Sequence, residues 1–367
     1  MVYRVAVIGR TGRGNYGHHL DRAWLSVPQT KIVAVADDNP DGLAAAARRL
    51  KVDKTFTDYR KMLDVVRPDI VCICQRWIDQ HRDMAVAAAE HGAHVYMEKP
   101  FCRTLAEADE IVTACERNHV KLAVAHFTRY SPKIDTIKKL IAEGRLGKVL
   151  EYRGRGKEDR RGGGEDLWVL GTHIMDLILA IGGKPQWCFA RVTQNGHPIT
   201  RRDVVDGNEG IGPLAGDAVH AMYGMPDGSI AYFSSVRNMG GHPRRFGLMI
   251  YGSKGVLEVL EGTLPPVKYL NDPSWSPGRS GARWQDVSSA GIGQPEPLTD
   301  RKYQERHTLA ILDLLDAIEK DRQPKCSMYE ARWATEMIVA AFESQRVGEP
   351  VPLPLRNRKN PLTMLED

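Results

Sequence analysis

Short apolar runs alternate with amphipathic stretches of helical spacing over the first 125 residues. The runs lie at 4–9, 31–37, 69–75, 94–98 and 121–127. They are almost continuously apolar, as strands buried on both faces of a parallel sheet are. The stretches between them have the 3.6-residue period of helices, and the connections are short. The pattern predicts an α/β fold in which helices cover both faces of a parallel sheet.

The alternation of strand and helix signals ends at about residue 130. "SPKIDTIKKLIAEGRLG" predicts a helix closed by glycine, and the segments that follow are rich in strands. The two apolar segments on either side of "PDG" predict a hairpin. Proline, glycine, serine and tryptophan accumulate in 262–300, which predicts a long irregular excursion, and two helices are expected over 302–320 and 327–346. We place the domain boundary near residue 125, giving domains 1–125 and 126–367. Packing of the C-terminal helices back onto the first domain stays open.

Composition narrows the functional classes. The 367 residues are 42% hydrophobic and 26% charged, which is typical of a globular protein. No apolar run approaches the roughly 20 residues that cross a bilayer, and "MVYRVAVIG" lacks the features of a secretory signal, so a cytoplasmic location is expected. The net charge of +5 is dispersed and is not interleaved with aromatic residues, which argues against a nucleic-acid partner. The six cysteines show no metal-ligand spacing, so no metal site is expected.

A glycine-rich loop, "VAVIGRTGRGNYG", follows the first strand and precedes an expected helical stretch. Glycines at this place let the backbone approach a pyrophosphate. Gly9 and Gly14 fit the Gly-x-Gly-x-x-Gly spacing, but Thr11 stands at the middle position with Gly12 beside it. The loop is either a variant of the pattern or one residue longer, ending at Gly17. Arg13 lies within it and completes the predicted cofactor-binding loop.

Two acids end the second strand. Asp37 is the first and Asp38 follows it. A carboxylate at this position accepts hydrogen bonds from an adenosine ribose and repels a 2′-phosphate. We therefore predict NAD rather than NADP as the cofactor. The alternative is that Asp37 only caps a turn.

A Glu-Lys-Pro step ends the strand at 94–98. Ligands of open parallel sheets bind outside the carboxyl ends of the strands, so Glu98 and Lys99 are predicted at the cofactor rim. Pro100 restricts Lys99 to extended geometry, with either a trans or a cis peptide bond. A lysine at this rim would hydrogen-bond to a substrate hydroxyl or exchange its proton. The alternative is a surface lysine beside a turn.

Several phrases resemble one family in the same order. "HGAHVYMEKPF", "FTRYSP", "IAEGRLGKV" and "IYGSKGVLEV" are similar to segments of the glucose–fructose oxidoreductase, inositol dehydrogenase and rhizopine-catabolism (Gfo/Idh/MocA) superfamily. The resemblance implies a Rossmann domain followed by an α/β domain with an open, largely antiparallel sheet, whose outer face often forms homodimers or homotetramers. It implies NAD(P)-dependent chemistry on sugars, polyols and their acids, whereas the dispersed charge and the lack of a long apolar run predict no nucleic-acid or membrane partner. It also implies that Lys99 is catalytic and that Gln75 and His81 line the cofactor.

One motif departs from that family. Its sugar-oxidising members carry Asp-x-Gly-x-His-x-x-Asp, whereas this chain has "VLGTHIMD", with Val169 at the first position. His173 matches the family's catalytic histidine, a general acid/base near neutral pH, and Asp176 lies one helical turn further on. Asp166 or Glu165 is a candidate to replace the missing acid. Without the family, His173 is an ordinary helix histidine.

Other polar residues are candidates for binding the substrate. The loop "RGKEDRRGGGED" is charged and glycine-rich, so it either recognises an anionic sugar or is simply a solvated loop. "AHFTRYS" follows the last strand of the first domain. The substrate-binding candidates from these two segments are His126, Arg129, Tyr130, Lys157, Arg161 and Asp166.

Three functions follow from these predictions. The leading one is an NAD-dependent oxidoreductase acting on a secondary hydroxyl of a sugar or sugar derivative, in which Lys99 and His173 converge over the nicotinamide. The second is a redox-neutral enzyme that retains its NAD and catalyses elimination, hydration or epimerisation through a transient keto-sugar. The third is a non-catalytic sugar or NAD sensor on the same scaffold, which the presence of both Lys99 and His173 disfavours.

Overall fold

The computed structural model describes residues 2–241 and 245–366. The chain divides into two compact units. The first contains the residues up to His126 together with Gly207–Gly212 and Glu305–Thr335. The second contains Phe127–Asp206, Pro213–Gln304 and the residues from Glu336 onward.

The strands, in chain order, are β1 Tyr3–Ile8, β2 Thr30–Ala36, β3 Thr55–Phe56, β4 Ile70–Ile73, β5 His94–Met97, β6 Leu122–Val124, β7 Val149–Arg155, β8 Trp187–Gln194, β9 His197–Pro198, β10 Val205–Gly207, β11 Gly212–Leu214, β12 Ala218–Gly224, β13 Ile230–Val236, β14 Gly247–Gly252, β15 Val256–Leu260, β16 Val267–Leu270, β17 Gln285–Ser288, β18 Gly291–Ile292 and β19 Val351–Pro352. The α-helices are α1 Leu20–Ala23, α2 Pro40–Leu50, α3 Tyr59–Val66, α4 His81–Glu90, α5 Leu105–Arg117, α6 Pro132–Ala142, α7 Gly164–Val169, α8 Gly171–Gly182, α9 Pro277–Ser280, α10 Arg301–Gln304, α11 Thr308–Glu319 and α12 Met328–Val347. Short 3₁₀ helices lie at Trp24–Ser26, Ile78–Gln80, Phe127–Tyr130, Arg201–Asp203, Asn208–Gly210 and Pro361–Met364.

The first unit contains a six-stranded sheet in the order β3-β2-β1-β4-β5-β6. Its strands pair in parallel. All four residues of β4 are fully buried, which explains its uninterrupted apolar sequence. The strand order reverses between β1 and β4. Such a reversal opens a crevice at the carboxyl ends of these strands, where α/β folds bind ligands.

Side-chain caps define where the helices of this unit begin. The Asn39 side chain accepts a hydrogen bond from Gly42 N at the start of α2, and Thr104 accepts one from Glu107 N at the start of α5. Caps of this kind satisfy backbone N–H groups that have no partner within the helix. The helix predicted to follow the glycine loop directly is not formed, because turns continue to residue 19 before the four-residue α1.

The second unit is built on an eleven-stranded sheet. Its strand order is β18-β17-β16-β15-β14-β7-β13-β12-β8-β19, with β9 paired to β8. The β7–β13 pair is parallel, and its neighbours are antiparallel. The predicted hairpin around "PDG" is formed by β12 and β13. A parallel sheet followed by an open, mostly antiparallel one confirms the predicted fold class.

Helix α8 covers one face of this sheet and is buried from Gly171 to Ala180. It packs against β7, β13 and β14. Gly154 in β7 permits the contact, because a Cβ at that position would collide with Ile174 of the helix. Close packing of α8 on the sheet therefore fixes the side chains along it, His173 among them.

The segment 262–300 was predicted to be irregular, and most of its residues do lie outside helices and strands, but it also contains three short strands that were not predicted. β16 pairs with β15, β17 with β16, and β18 with β17, all antiparallel, so the segment extends the sheet. Among the described residues, no helix has the length and apolar character needed to cross a membrane.

Candidate functional site

The glycine loop is a series of turns closed by its own backbone. Arg10 N donates to Asn15 O at 3.1 Å, and Asn15 N donates to Arg10 O at 2.9 Å. Gly14 has a φ of +87°, and a Cβ there would collide with the backbone nitrogens of Arg76 and Trp77. The loop therefore lies directly against the exit of β4. Because α1 begins only at Leu20, any phosphate recognition here would rely on loop amides.

Asp37 fastens the glycine loop to the end of β2. Its carboxylate accepts hydrogen bonds from Thr11 Oγ1 at 2.7 Å, Tyr16 OH at 2.8 Å and Asn39 N at 3.0 Å. Burial, and then the neighbouring Asp37 carboxylate, raises the pKa of the Tyr16 hydroxyl, which therefore stays a donor. Asp37 itself is buried. This network favours the capping role that was the alternative to a ribose contact.

Asp38 is the exposed acid of the pair. Its Oδ2 accepts a hydrogen bond from Arg10 Nε at 3.1 Å, and its side chain is 58% exposed. Arg10 also donates through Nη1 to Asp79 Oδ2 at 2.8 Å. Arg10 thus links the exit of β2 to the residues after β4. Asp38 keeps one oxygen and an open side from which a ribose hydroxyl can be bound.

A pocket opens at the carboxyl ends of β1 and β2. It combines apolar walls with the two acids, a composition that fits the adenosine half of NAD. Its lining residues are Ile8, Gly9, Arg10, Ala36, Asp37, Asp38, Thr57, Tyr59, Gln80 and Met84.

Glu98, the acid of the Glu-Lys-Pro step, is buried and holds two neighbouring segments. Oε1 accepts from His18 Nδ1 at 2.7 Å, and Oε2 accepts from Lys99 N at 2.9 Å. Burial acts to raise the pKa of Glu98, but the hydrogen bond and charge of His18, with the charge of Lys99, outweigh it and hold the pKa well below its usual range. Glu98 is therefore a carboxylate that fixes the backbone of Lys99.

Lys99 is buried, and its peptide bond to Pro100 is cis. His81 holds the next carbonyl, because its Nδ1 lies 2.8 Å from Pro100 O while its Nε2 lies 2.8 Å from Gln75 O.

The Gln75 amide donates to Trp77 O at 2.9 Å, and its Oε1 is buried without a partner among the described residues. These contacts connect the predicted cofactor-rim residues after β4 and β5, namely Gln75, His81, Glu98 and Lys99. The Oε1 atom of Gln75 is left as an acceptor for a ligand.

His307, which sequence reasoning missed, extends this network. It immediately precedes α11 and contacts Tyr96 OH at 2.9 Å through Nδ1 and His18 O at 3.1 Å through Nε2. Burial lowers the pKa of His307 to about 4. A neutral histidine far along the chain therefore supports the loop that carries His18. No local sequence signal connects residues 289 positions apart.

His173 lies in the first turn of α8 and is 4% exposed. Two rings pack against it edge-on, Phe127 at 5.4 Å and Phe246 at 6.3 Å between centroids. Its Nδ1 lies 3.9 Å from Glu261 Oε1. Glu261 was not singled out from the sequence, although an acid directly after an apolar strand and before a glycine was a readable signal.

Asp176 is committed to an internal ion pair. Its Oδ1 accepts from Arg129 Nη1 at 2.7 Å, and the same nitrogen donates to the Asp176 carbonyl at 3.1 Å. Both side chains are largely buried. This pairing joins α8 to the 3₁₀ helix Phe127–Tyr130, so two residues predicted to act in catalysis and substrate binding hold each other.

The charged loop at 155–166 is stabilised by ion pairs and hydrogen bonds of acidic residues within the loop. Lys157 and Arg161 both pair with Asp159, at 3.4 and 2.7 Å. The hydrogen bond from Arg161 is the main reason that the pKa of Asp159 is held well below its usual range. Asp166 is fully buried and accepts from Ser235 Oγ at 2.5 Å. Burial raises its pKa. This loop is therefore internally paired.

The remaining candidates are also buried. His126 belongs to the first unit and contacts Cys326 Sγ at 3.3 Å through Nδ1. Tyr130 belongs to the second unit and is 3% exposed. All the predicted cofactor residues lie in the first unit together with His126, and His173, Asp176 and the remaining substrate candidates lie in the second.

Two matches cover most of the chain. The family described as "Oxidoreductase family, NAD-binding Rossmann fold" matches residues 3–126. The GFO/IDH/MocA C-terminal domain matches residues 134–258.

Three relatives illustrate the range of this family. Levoglucosan dehydrogenase from Pseudarthrobacter phenanthrenivorans is 28% identical over 255 residues, covering 63% of this chain and 64% of the relative. The NAD(+)-type scyllo-inositol 2-dehydrogenase from Bacillus subtilis is 31% identical, covering 41% of this chain and 43% of the relative. The 2,7-anhydro-N-acetylneuraminate hydratase from Mediterraneibacter gnavus is 31% identical, covering 38% and 36%. The aligned regions thus span less than two thirds of these relatives.

A solved structure extends the comparison over the whole fold. Levoglucosan dehydrogenase in complex with NADH and levoglucosan superposes with a TM-score of 0.78 at 22% identity, covering 97% of this chain and all of that chain. At this identity the likeness establishes the fold. The chain therefore belongs to the GFO/IDH/MocA family of oxidoreductases, and its first domain is the family's NAD-binding Rossmann domain.

Proposed function

We propose that this protein is an NAD-dependent oxidoreductase that acts on a secondary hydroxyl of a sugar, a polyol or a sugar derivative. The observation that carries the proposal is the fixed Glu-Lys-Pro step in an NAD-binding domain. The backbone N–H of Lys99 donates to buried Glu98 at 2.9 Å, and the next carbonyl is held by His81. A lysine fixed at the rim of a parallel sheet meets the geometric requirement for polarising a bound substrate.

The residues present fit the cofactor. We propose that Asp38 binds the adenosine ribose, that the loop amides near Gly12 and Gly14 bind the pyrophosphate, and that the vacant acceptor of Gln75 meets a donor near the sheet rim. When bound, NAD supplies the acceptor or donor of a hydride. The protein supplies position and proton transfer.

The two candidate catalytic residues have different tasks. In the oxidation, His173 would act as the general base that takes the proton of the substrate hydroxyl. Lys99 would donate a hydrogen bond to a substrate oxygen and stabilise the negative charge that develops there. With NAD bound as the acceptor of the hydride that the carbinol carbon loses, the products would be a keto-sugar and NADH, and His173 would pass the proton to solvent. Reduction runs the same transfers in reverse.

Activity on a panel of sugars, polyols and uronic acids tests this function. The purified protein is incubated with each compound and NAD, and the nicotinamide absorbance is followed together with product masses. A product two hydrogens lighter, formed in step with NADH, supports the proposal. If the protein binds NAD but forms neither NADH nor product with any compound of the panel, the proposal is contradicted.

A redox-neutral reaction is the second candidate. Two observations favour it: Val169 replaces the usual acid and is buried, and one relative is named as a hydratase. Such an enzyme would retain NAD through purification and oxidise the sugar only transiently. Product formed without added NAD and without net NADH would support this reaction over the dehydrogenase.

We also propose a homodimer or homotetramer in the cytoplasm, acting on a small carbohydrate. The open sheet face supports self-association, since Phe189 of β8 is 41% exposed and lies opposite Met222 of β12. The six cysteines are free thiols, as in reducing compartments. Light scattering of Phe189→Asp is expected to show a smaller mass than the wild-type protein. A monomeric wild-type protein, or a secreted one, would contradict this proposal.

A further inference from the structure

The family's first motif acid is missing from its usual position at the end of α7. Val169 occupies its position and is buried. Asp166, the replacement considered from the sequence, accepts hydrogen bonds from Ser235 Oγ at 2.5 Å and from Glu158 N at 3.0 Å. Asp166 therefore stabilises the loop before α7. The carboxylate that lies 3.9 Å from the His173 imidazole comes from another element.

Glu261 is that carboxylate by position. It directly follows β15, and its Oε1 lies 3.9 Å from His173 Nδ1. Its side chain is 18% exposed, against 4% for His173. A carboxylate this close to an imidazole stabilises the protonated ring. Ion-pair distances of this kind often shorten to hydrogen bonds once a substrate is bound.

The backbone around Glu261 is fixed to the frame that holds His173. Gly262 N donates to Thr128 Oγ1 at 3.1 Å, and Lys133 Nζ donates to Pro265 O at 3.0 Å. Phe127, the neighbour of Thr128, packs against the imidazole. The imidazole and the carboxylate are thus attached to the same short segment, so their separation is built into the fold.

Several charged side chains near α8 form ion pairs of their own. Glu165 of α7 is mostly buried. The ion pairs are Arg129 with Asp176, Lys133 with Glu296, Arg153 with Glu151, Arg155 with Glu158 and Arg245 with Glu158.

We infer that Glu261 is the positioning residue for His173 and replaces the family's missing acid. It holds the proton on Nδ1, so that Nε2 is the nitrogen that takes the substrate proton, and it stabilises the imidazolium that results. This inference rests on the proposed function for its catalytic consequence. The pairing itself is testable in the protein without cofactor.

The first test is an NMR titration of the histidine rings in cofactor-free protein, with the His173 signal identified by its loss in His173→Gln. The titration midpoint of His173 is expected to fall by about one pH unit in Glu261→Gln, because the imidazolium loses its carboxylate. Glu258→Gln, on the same strand, serves as the control and is expected to leave the midpoint unchanged. An unchanged midpoint in Glu261→Gln overturns the inference.

Kinetics with an active sugar test the catalytic consequence. Glu261→Gln is expected to lower kcat by about 10- to 100-fold with KM nearly unchanged, and to move the acidic limb of kcat/KM to lower pH. Glu261→Asp should recover part of kcat. A raised KM with unchanged kcat would mean that Glu261 binds the sugar directly, and it overturns the inference. If the midpoint shifts but the wild-type protein oxidises no sugar, the proposed function fails while the pairing stands.

Discussion

The Nδ1 atom of His18 lies 2.7 Å from Oε1 of Glu98, which joins the loop after β1 to the end of β5. The same carboxylate accepts the backbone N–H of Lys99. The acid of the Glu-Lys-Pro step thus sets the position of both the cofactor loop and the lysine. It explains why the strand ends in an acid where a turn would need only glycine or asparagine.

Removing that carboxylate should weaken both the fold and cofactor binding. Glu98→Ala leaves buried donors without an acceptor, so the free energy of unfolding should fall by about 2–4 kcal/mol. Urea denaturation at neutral pH, followed by tryptophan fluorescence, measures it, and NAD titration should show weaker binding. Glu90→Ala, at the exposed end of α4, is the control. Equal stability of the two variants would show that the Glu98 network is dispensable.

His307 should make the protein lose stability in mild acid. Burial lowers its pKa to about 4, whereas an unfolded histidine titrates near 6.5. Its contribution is therefore fully present above pH 6.5 and is lost as the pH falls from there towards 4, by on the order of 3 kcal/mol in total. His307→Gln should flatten the dependence of unfolding free energy on pH between 7 and 5. The exposed His220→Gln is the control, and an equal slope in all three proteins would contradict the assignment.

Two glycines of the cofactor loop should respond differently to alanine. Both glycines have a positive φ. A Cβ at Gly14 would collide with backbone atoms, whereas a Cβ at Gly12 would have no atom within 4 Å among the described residues other than its chain neighbours. Gly12→Ala should cost only about 1 kcal/mol of backbone strain. Gly14→Ala should displace the loop from Arg76 and Trp77 and abolish measurable NAD binding by calorimetry. Equal binding by the two variants would mean that the close approach does not shape the site.

Asp38 should decide between NAD and NADP. Its exposed carboxylate is available to a ribose and repels a 2′-phosphate, and its removal frees the Arg10 Nε that now donates to it. Asp38→Asn should raise the Kd for NAD about tenfold and allow NADP to bind. Asp41→Asn, an exposed acid in the next helix, should change neither affinity. Unaltered discrimination in Asp38→Asn would return the role to Asp37.

The buried strands made the first domain predictable from its sequence. β4 is apolar along its length, and β1 and β5 are apolar apart from Arg4 and His94, because both faces of these strands are covered. The polar residues of the candidate site follow the strands directly. β16 was missed because its four residues include exposed Lys268 and stand among prolines and glycines. A strand at the edge region of a sheet gains its pairing from a neighbour, which no local pattern reveals.

The site was only partly predictable for a similar reason. Spacing predicted the glycine loop and left Lys99 open, and only the family resemblance predicted roles for Lys99 and His173. Local pattern reading gave the positions of these residues but not their partners. It did not reveal that Asp37 is occupied by Thr11 and Tyr16, or that Asp176 is held by Arg129. These partners are set by tertiary packing. A carboxylate at the expected position can bind a ligand only if its oxygens do not already accept hydrogen bonds from other residues of the chain.

Lys99→Met, assayed against a sugar that the wild-type protein oxidises, is the decisive variant for the role proposed for Lys99. NADH formation and NAD binding are measured on the same preparation. Turnover should fall at least about 100-fold, while the Kd for NAD should change by less than about threefold. Turnover close to that of the wild-type protein, with NAD bound, would contradict the role assigned to Lys99 and the mechanism built on it.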